Sequence, residues 1–390
     1  MKIAVLGALG MQGRAALLDL ARSEQVKEII CADASLAGWA AFAARSDTAK
    51  ITPVQIDASA RGELTALFRQ GINAAIDLLP QPLMVNAFEA ALEARVPLVS
   101  TNYGAPIRHL HAPALAAGVA LMPECGLDPG IDLVICGQAV KRFDELHQLN
   151  SYCGGFPEKK ACTNPLNYKI SWNFDRVLRA HKRPAVFIRE GRSLPIPAER
   201  QHENEMIHTV HFPGLGELEA IPNGDAAFYT NLLGVGGTVR EAGRYSLRWP
   251  GWCAFFAAIK RLGFLSDEPL QGLSPPLTPH AFMVKLLEPQ LQYADDEKDL
   301  VAMINVFSGL KNGRRKTLTS TLLIKRDLES GLFAMSLGVG CPASIVAQMI
   351  AAGDIRSKGV LNPAVDVPHD PFMAQLRQRG IVVNETEKEA

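Results

Sequence analysis

Several side chains in this sequence are spaced to do chemistry on a small molecule. Glycines at 7, 10 and 13 (GALGMQG) follow a short apolar run at 2–6 and precede apolar residues at helical spacing over 14–22. A strand, glycine turn and helix of this kind aims the unpaired N–H groups of a helix start at a pyrophosphate. Gly7 permits the tight turn, Gly10 lets the backbone approach the phosphates, and Gly13 lets the helix pack close on the strand. The spacing is GxxGxxG, one residue longer than the common GxGxxG. A second apolar run at 29–32 ends at Asp33, about 20 residues past the last glycine, where a dinucleotide fold keeps its ribose-binding acid. A carboxylate there accepts from ribose hydroxyls and repels a 2′-phosphate, so NAD is expected over NADP. The competing reading is an ordinary βα turn; strand, helix, second strand and terminal acid together weigh against it.

The next candidate is Asp128, in GLDPG at 126–130. The following proline keeps it out of helical conformation and the Pro-Gly pair bends the chain, so a carboxylate stands at the start of the apolar helix expected over 131–140. A plain turn or cap residue is the alternative. In RYSLRW at 244–249, alternation puts Tyr245, Leu247 and Trp249 on one face and Arg244, Ser246 and Arg248 on the other. Arg248 can hold a carboxylate bidentately, unless that face is solvated. Cys153, in SYCGG at 151–155, is either an inert buried thiol or a polar group beside a substrate. The segment NPLNYKISW at 164–172 mixes polar and aromatic residues as a binding loop does, and as many surface turns do. His208 and His211 fall on opposite sides of a strand at 206–212, and His109 and His111 have no third ligand nearby, so no metal site is expected.

These residues need a frame, and the rest of the chain supplies it. Helices are expected over 36–44, 63–70 and 84–94, alternating with strands over 51–56, 74–79, 97–100 and 119–122. Such alternation builds a doubly wound parallel sheet with ligands at the carboxyl ends of its strands, hence at 79–81, 101–103 and 124–130. From about residue 149 the texture changes to alternating strands and long loops. A strand at 151–155 ends at paired glycines, and Asn173 caps a helix over 174–181. Pro250 opens a helix through Leu262, and Thr278 with Pro279 starts another running to about Leu291. Strands at 301–307 and 316–325 pair across a turn at 309–315 containing Asn312 and Gly313. Helices follow at 342–352 and 372–379, and the polar end, 385–390, is expected to fray.

Composition narrows the class. The chain has 390 residues, 40 Lys plus Arg against 40 Asp plus Glu, and seven cysteines without a CxxC pair. Two domains are the natural expectation at this length. Zero net charge gives no general attraction for nucleic acid or an anionic membrane, and the cysteines suggest a reducing compartment. No apolar run is expected to reach membrane-spanning length and no signal peptide opens the chain, so a soluble, cytoplasmic protein is expected.

The segment SYCGGFPEKKACTNPLNYKISWNFDRVL resembles a signature of the glutamate-forming saccharopine dehydrogenases. GLDPGID, IPNGDAAFY, YSLRWPGWC and the RGI near the end extend the resemblance over nearly the whole chain. It implies an α/β fold: a Rossmann-type doubly wound sheet (1–130), an inserted α+β mixed-sheet substrate and dimerisation domain (131–340), and a C-terminal segment returning to the first domain (341–390). The implied reaction oxidises saccharopine with NAD(P) to an imine that water splits into glutamate and 2-aminoadipate 6-semialdehyde. Catalytic positions fall on Asp128, Tyr103 and Cys153. Substrate contacts fall on Asn102, Tyr103, Asp128, Asn223, Ser246, Leu247 and Arg248, and cofactor contacts on Gly7, Leu9, Gly10, Met11, Asp33, Leu79, Leu127, Pro129 and Ser171. A homodimer is implied as well. One departure stands out: Gly224 replaces the arginine of the family's PNRD, so a substrate-carboxylate contact is missing unless Arg240 or Arg244 supplies it. Lysine 6-dehydrogenase is the alternative within the class, and a non-catalytic dinucleotide-binding protein the alternative outside it.

Overall fold

In the computed structural model, residues 1–389 are described and the chain divides into two compact units: Met1–Gln138 with Ser336–Val382, and Ala139–Met335 with the segment from Val383. The first unit holds a seven-stranded sheet in the spatial order Gly359–Val360, Ala120–Met122, Leu98–Ser100, Ala74–Asp77, Lys2–Leu6, Glu28–Asp33, Ile51–Gln55. Every pairing in it is parallel. The strand order reverses between Lys2–Leu6 and Ala74–Asp77, the switch point where a doubly wound sheet opens a crevice. Both faces are covered, and the central strands are accordingly apolar throughout: Ile3, Ala4, Val5 and Leu6 are wholly buried.

The expected helix at 131–140 is Ile131–Ala139, and nearly all of it belongs to the first unit. A Cβ on Gly137 would stand 1.8 Å from the Ala364 carbonyl, so this helix lies directly against the Pro363–Asp366 turn. The helix expected at 342–352 begins earlier, at Ala334, and carries Pro342 inside it. Its start is fixed by Asp299, whose carboxylate accepts from Ala334 N–H (2.8 Å) and Met335 N–H (3.2 Å). A cap supplied by a residue 35 positions away leaves no local signal. Contrary to the expectation drawn from apolar runs, this 19-residue helix is long and apolar enough to cross a membrane, although most of it is buried inside the protein.

The second unit is built on a nine-stranded mixed sheet. Its main path runs His208–Phe212, Gly216–Pro222, Glu241–Arg248, Glu145–Pro157, Asp299–Lys311, Arg314–Lys325, Val383–Glu389, with the Ala185–Arg189 and Arg192–Ile196 hairpin to one side. Only Glu241–Arg248 and Glu145–Pro157 pair in parallel. One face carries Tyr152, Phe156, Tyr245, Leu247 and Trp249 in a core with the hairpin; the other is packed by Tyr168, Phe174, Trp252 and Phe256.

Two corrections concern this sheet. The strand expected to stop at Gly154 and Gly155 continues to Pro157. Gly154 is needed within the strand, where a Cβ would meet the Leu247 carbonyl at 2.2 Å. The end expected to fray is instead an edge strand, Val383–Glu389; Ala390 lies outside the described residues. Its polar sequence hides the pairing, which ion pairs support: Glu385 and Glu387 with Arg142, and Glu387 with Lys316. Elsewhere local chemistry predicts well. The Asn173 side chain accepts from Arg176 N–H, Thr278 caps the Pro279–Leu287 helix, and Asn312–Gly313, both at positive φ, close the long hairpin.

Candidate active site

In the first unit the glycine turn lies at the switch point. Gly7 has φ +68°, and a Cβ there would come within 2.9 Å of the Leu78 carbonyl; one on Gly13 would meet the Ala8 and Gly7 carbonyls at 2.4 Å. Gly10 precedes the Met11–Arg22 helix with no side chain capping it. The N–H groups of that helix start therefore remain available to an anion, and the tight turn leaves room for a pyrophosphate. Asp33, half-buried at the end of Glu28–Asp33, accepts the Leu9 N–H through Oδ2 at 2.9 Å. Arg14 donates from Nε to the Leu9 carbonyl at 3.0 Å, and its Nη2 reaches Gly38. Gly7, Leu9, Gly10, Met11 and Asp33 are thus gathered in one loop system, and the residues suit a dinucleotide.

The ends of the next three strands form a hydrogen-bonded ladder. Ser100 Oγ donates to Asp77 Oδ2 (2.7 Å), whose Oδ1 takes the Leu79 N–H (3.0 Å). Asn102 donates from Nδ2 to the Leu79 carbonyl (3.0 Å) and receives the Glu124 N–H on its own carbonyl (3.0 Å). Glu124, buried and at φ +64°, then accepts from Gly104 N–H (3.0 Å) and Asn362 Nδ2 (3.1 Å). This ladder presents Tyr103, half-buried, on one loop and Asp128, half-buried, on the neighbouring turn. The two loops touch, since a Cβ on Gly126 would lie 3.4 Å from Thr101 Cβ. The turn itself is closed by Gly126 N–H to Pro129 O (2.9 Å) and Ile131 N–H to Gly126 O (3.0 Å), with Asp132 accepting the Gly130 N–H (2.9 Å). Leu127 and Pro129 are buried within it. Asp132, inside the first turn of the helix, thus reaches back to the backbone that precedes it.

The second unit brings together Cys153, Ser246 and Arg248. Ser246 pairs with Cys153 across the parallel strands, and Cys153 neighbours the Arg248 guanidinium. The alternation expected at 244–249 holds, but the second face is not solvated: Arg244 and Arg248 are 3 % and 8 % exposed. Leu247 is turned the other way into the core, so its side chain cannot touch a substrate on the arginine face; its carbonyl accepts from Arg248 Nη1 (2.7 Å). Arg248 is stacked by Tyr168 (5.5 Å) and Trp252 (5.2 Å), and its Nε has no partner. Burial pulls its pKa down, and the groups that pull it back are phenols and thiols, with no carboxylate among them. Ser171, fully buried with its hydroxyl unpartnered, lies beside Gly155 in this same unit.

Asn223 follows Gly216–Pro222 and donates its backbone N–H to the Arg244 carbonyl at 2.8 Å. Gly224, at φ +79°, lies 3.6 Å (built Cβ) from Arg244 Nε, whereas Arg240 is exposed. Arg244 also covers the Tyr229 ring at 4.5 Å. Of the two arginines considered as replacements at Gly224, the structure puts Arg244 there. No group of three or more His, Cys, Asp or Glu side chains among the described residues is arranged to hold a metal. His208 reaches the Tyr152 hydroxyl (3.2 Å) and His211 reaches Glu217 (2.8 Å).

Sequence reasoning missed Glu124, the Asp77–Ser100 pair and Trp252. An acid directly after the Ala120–Met122 strand, inside a segment already marked by topology, was the available signal for Glu124. Nothing local marks Trp252, which reads as one more apolar residue of a helix.

Two family models match the chain: the saccharopine dehydrogenase NADP binding domain over residues 3–122 and the saccharopine dehydrogenase C-terminal domain over 126–381. Among curated proteins, mitochondrial alpha-aminoadipic semialdehyde synthase from Mus musculus is 27% identical over 373 residues, covering 79% of this chain and 40% of that protein. The chain thus spans well under half the length of that relative. The NADP(+), L-glutamate-forming saccharopine dehydrogenase of Saccharomyces cerevisiae is 26% identical, covering 80% of this chain and 83% of the relative. Carboxyaminopropylagmatine dehydrogenase of Synechocystis is 22% identical, covering 97% and 96%. Among solved structures, apo saccharopine dehydrogenase (L-Glu forming) from S. cerevisiae superposes with TM-score 0.84 at 23% identity over 99% of both chains, a likeness of fold.

Proposed function

Because the chain belongs to the saccharopine dehydrogenase family, we propose that it oxidises saccharopine at its secondary amine to an imine, which water splits into L-glutamate and 2-aminoadipate 6-semialdehyde. The observation that carries this reading is Arg248: a buried guanidinium, lying against the adjoining rings of Tyr168 and Trp252, with no acidic side chain against it. A buried cation without a counter-charge is expensive unless it receives an anion, and the planar fork of arginine suits a carboxylate. Saccharopine carries three carboxylates, and Arg244 beside Gly224 offers a second cation for them.

A nicotinamide dinucleotide held at Gly7, Leu9, Gly10, Met11 and Asp33 would supply the hydride acceptor. Asp128 accepts a proton from the secondary ammonium and releases it to solvent; after the carbon has given up hydride it takes a proton from the water that attacks the iminium and passes it to the nitrogen that leaves with glutamate. Tyr103 and Cys153 are polar partners to the reacting groups, and Asn223 and Ser246 contribute to substrate contact. Asn102 acts through its loop, because its amide is engaged by Leu79. For the cofactor we propose NAD: Asp33 leaves carboxylate lone pairs toward a ribose and opposes a 2′-phosphate. The family model is named for NADP, and Arg14, between Leu9 and Gly38, is the cation at that end of the loop. A homodimer and a cytoplasmic location complete the proposal; sedimentation velocity tests the first, and the seven thiols, all free, accord with the second.

Gly224 favours a second reading, in which the substrate is another secondary or primary amine bearing fewer carboxylates, such as carboxyaminopropylagmatine or lysine. One assay separates them: reduction of NAD and of NADP by the purified protein with saccharopine, lysine and carboxyaminopropylagmatine in turn. Saccharopine with NAD is expected to give by far the highest kcat/KM. Preference for another amine transfers the assignment to it, and reduction with none of a wider amino-acid panel favours a non-catalytic dinucleotide-binding protein.

A further inference from the structure

Behind Arg248 lies a chain of hydrogen bonds that no part of the reaction uses. Trp252 Nε1 donates to His181 Nε2 at 3.2 Å, and His181 Nδ1 meets His202 Nε2 at 2.9 Å. His202 Nδ1 faces Lys260 Nζ at 3.3 Å, while that same Nζ donates to the carbonyls of His181 (2.9 Å) and Ala198. His181 and His202 are 4 % and 6 % exposed, and His181 stacks on Phe256 at 4.0 Å.

The proton count gives this chain a direction. An indole nitrogen can only donate, so His181 Nε2 must be the acceptor, and a neutral His181 carries its proton on Nδ1. That proton goes to His202 Nε2. His202 in turn carries its own proton on Nδ1, pointing at Lys260. Donors therefore stand at both ends, and one contact has to be given up. The indole–imidazole contact is rigid and buried; Lys260 is half-buried on a flexible stem and keeps its two carbonyls without it. The mismatch falls on the lysine end. Both imidazoles must be neutral for the chain to hold. Burial first, then the cationic groups around them, keeps them so: Arg248, Lys260 and Arg183 about His181, and Lys260 about His202.

We infer that His181 and His202 are positioning residues for anion recognition: the one-way chain from Trp252 through His181 to His202 fixes the indole against which the Arg248 guanidinium stacks. This rests on the reading of Arg248 as the carboxylate site. Without the imidazole acceptor the buried indole N–H loses its partner and the ring can turn, loosening the face that aims the guanidinium.

The test has a part that needs no variant. In protein labelled with ¹⁵N-histidine, with dinucleotide present at pH 7, His181 shows a protonated Nδ1 and an unprotonated Nε2; the opposite tautomer or a cationic ring overturns the inference. In the second part, calorimetry measures saccharopine affinity in the presence of the dinucleotide. His181→Leu weakens saccharopine about tenfold, the size of one well-placed cation–π contact, with dinucleotide affinity unchanged. His181→Gln, which offers an acceptor to the indole and a donor to His202, restores it to within about threefold. Arg248→Leu is the control. Loss of binding in Arg248→Leu with wild-type affinity in His181→Leu overturns the positioning role alone. Unchanged affinity in Arg248→Leu, or no saccharopine binding by the wild type, overturns the carboxylate reading and with it the role inferred for the histidines.

Discussion

At the strand ends of the first unit every strong polar group has been given something to do: Asp77 holds Ser100 and Leu79, Asn102 holds Leu79 again, and Glu124 holds Gly104 and Asn362. On the arginine face of the second unit the bookkeeping is different. Arg248 Nε, Ser171 Oγ, the Tyr293 hydroxyl and both polar atoms of the Asn305 amide are buried without partners. Each such group costs on the order of 1–3 kcal/mol to leave unsatisfied, which a fold bears only where something else is gained. On the function proposed above, the first region is the scaffold that aims Tyr103 and Asp128, and the second is the face that receives a ligand of matching charge. Framework and recognition have been separated into different parts of the chain.

The sharpest way to break this comparison is at the aimed residue. Asp128→Asn keeps the turn, because Asp132 and the Gly126–Pro129 backbone close it. Turnover is expected to fall by about 100-fold or more, as for loss of a general base, with dinucleotide affinity within twofold by fluorescence titration. Equal turnover removes Asp128 from the chemistry.

The next effect is one of stability. Burial pushes the Asp299 carboxyl up to about 6, so the folded protein holds a proton there that the unfolded chain releases near the ordinary value of 3.8. Between these values the folded state binds more protons, and Asp299 therefore favours folding as pH falls, by up to about 3 kcal/mol. His202, lowered to about 4 by burial, has the opposite sign: the unfolded chain takes the proton first, and stability is lost as pH falls from 6.5. His181, also lowered, acts in the same direction as His202. In Asp299→Asn the opposing contribution of the carboxyl is gone, while those of the histidines and of the ion-paired carboxylates held low, such as Asp175 and Glu297, remain. Urea titrations from pH 6.5 to 4 are expected to show a steeper acid loss than in wild type, and a shallower one contradicts the assignment.

The smallest effect distinguishes the regions most cleanly. Ser100→Ala strips a partner from the buried Asp77 and is expected to cost about 1–3 kcal/mol. Ser171→Ala removes a hydroxyl with no partner and is expected to leave stability unchanged or raise it by about 1 kcal/mol. Thermal melts of the two variants in the opposite order would erase the distinction between scaffold and recognition surface.

Much of the frame was legible because its causes are local. Glycine turns, the Asn173 and Thr278 caps and the Asn312–Gly313 hairpin are written within a few residues, and the burial of Lys2–Leu6 follows from its composition. What stayed hidden has distant causes. Asp299 starts a helix in another stretch of sequence, Glu385 and Glu387 make a strand of a polar tail through Arg142 and Lys316, and Gly154 answers to the Leu247 backbone. The same division applies to the candidate site. Asp33, Asp128 and Arg248 carry their signals in motif and alternation, and alternation also puts Leu247 on the core side with Tyr245 and Trp249, whereas the contacts of Glu124 and Trp252 exist only once the chain is folded.

The central claim is that Arg248 recognises a substrate carboxylate, and calorimetric titration of saccharopine into wild-type protein and Arg248→Leu, each with bound dinucleotide, tests it most directly. The account predicts affinity weakened by about 30-fold or more in the variant, as expected for a desolvated charge pair of 2 kcal/mol or above, with dinucleotide binding intact. Equal affinity in the two proteins would contradict it.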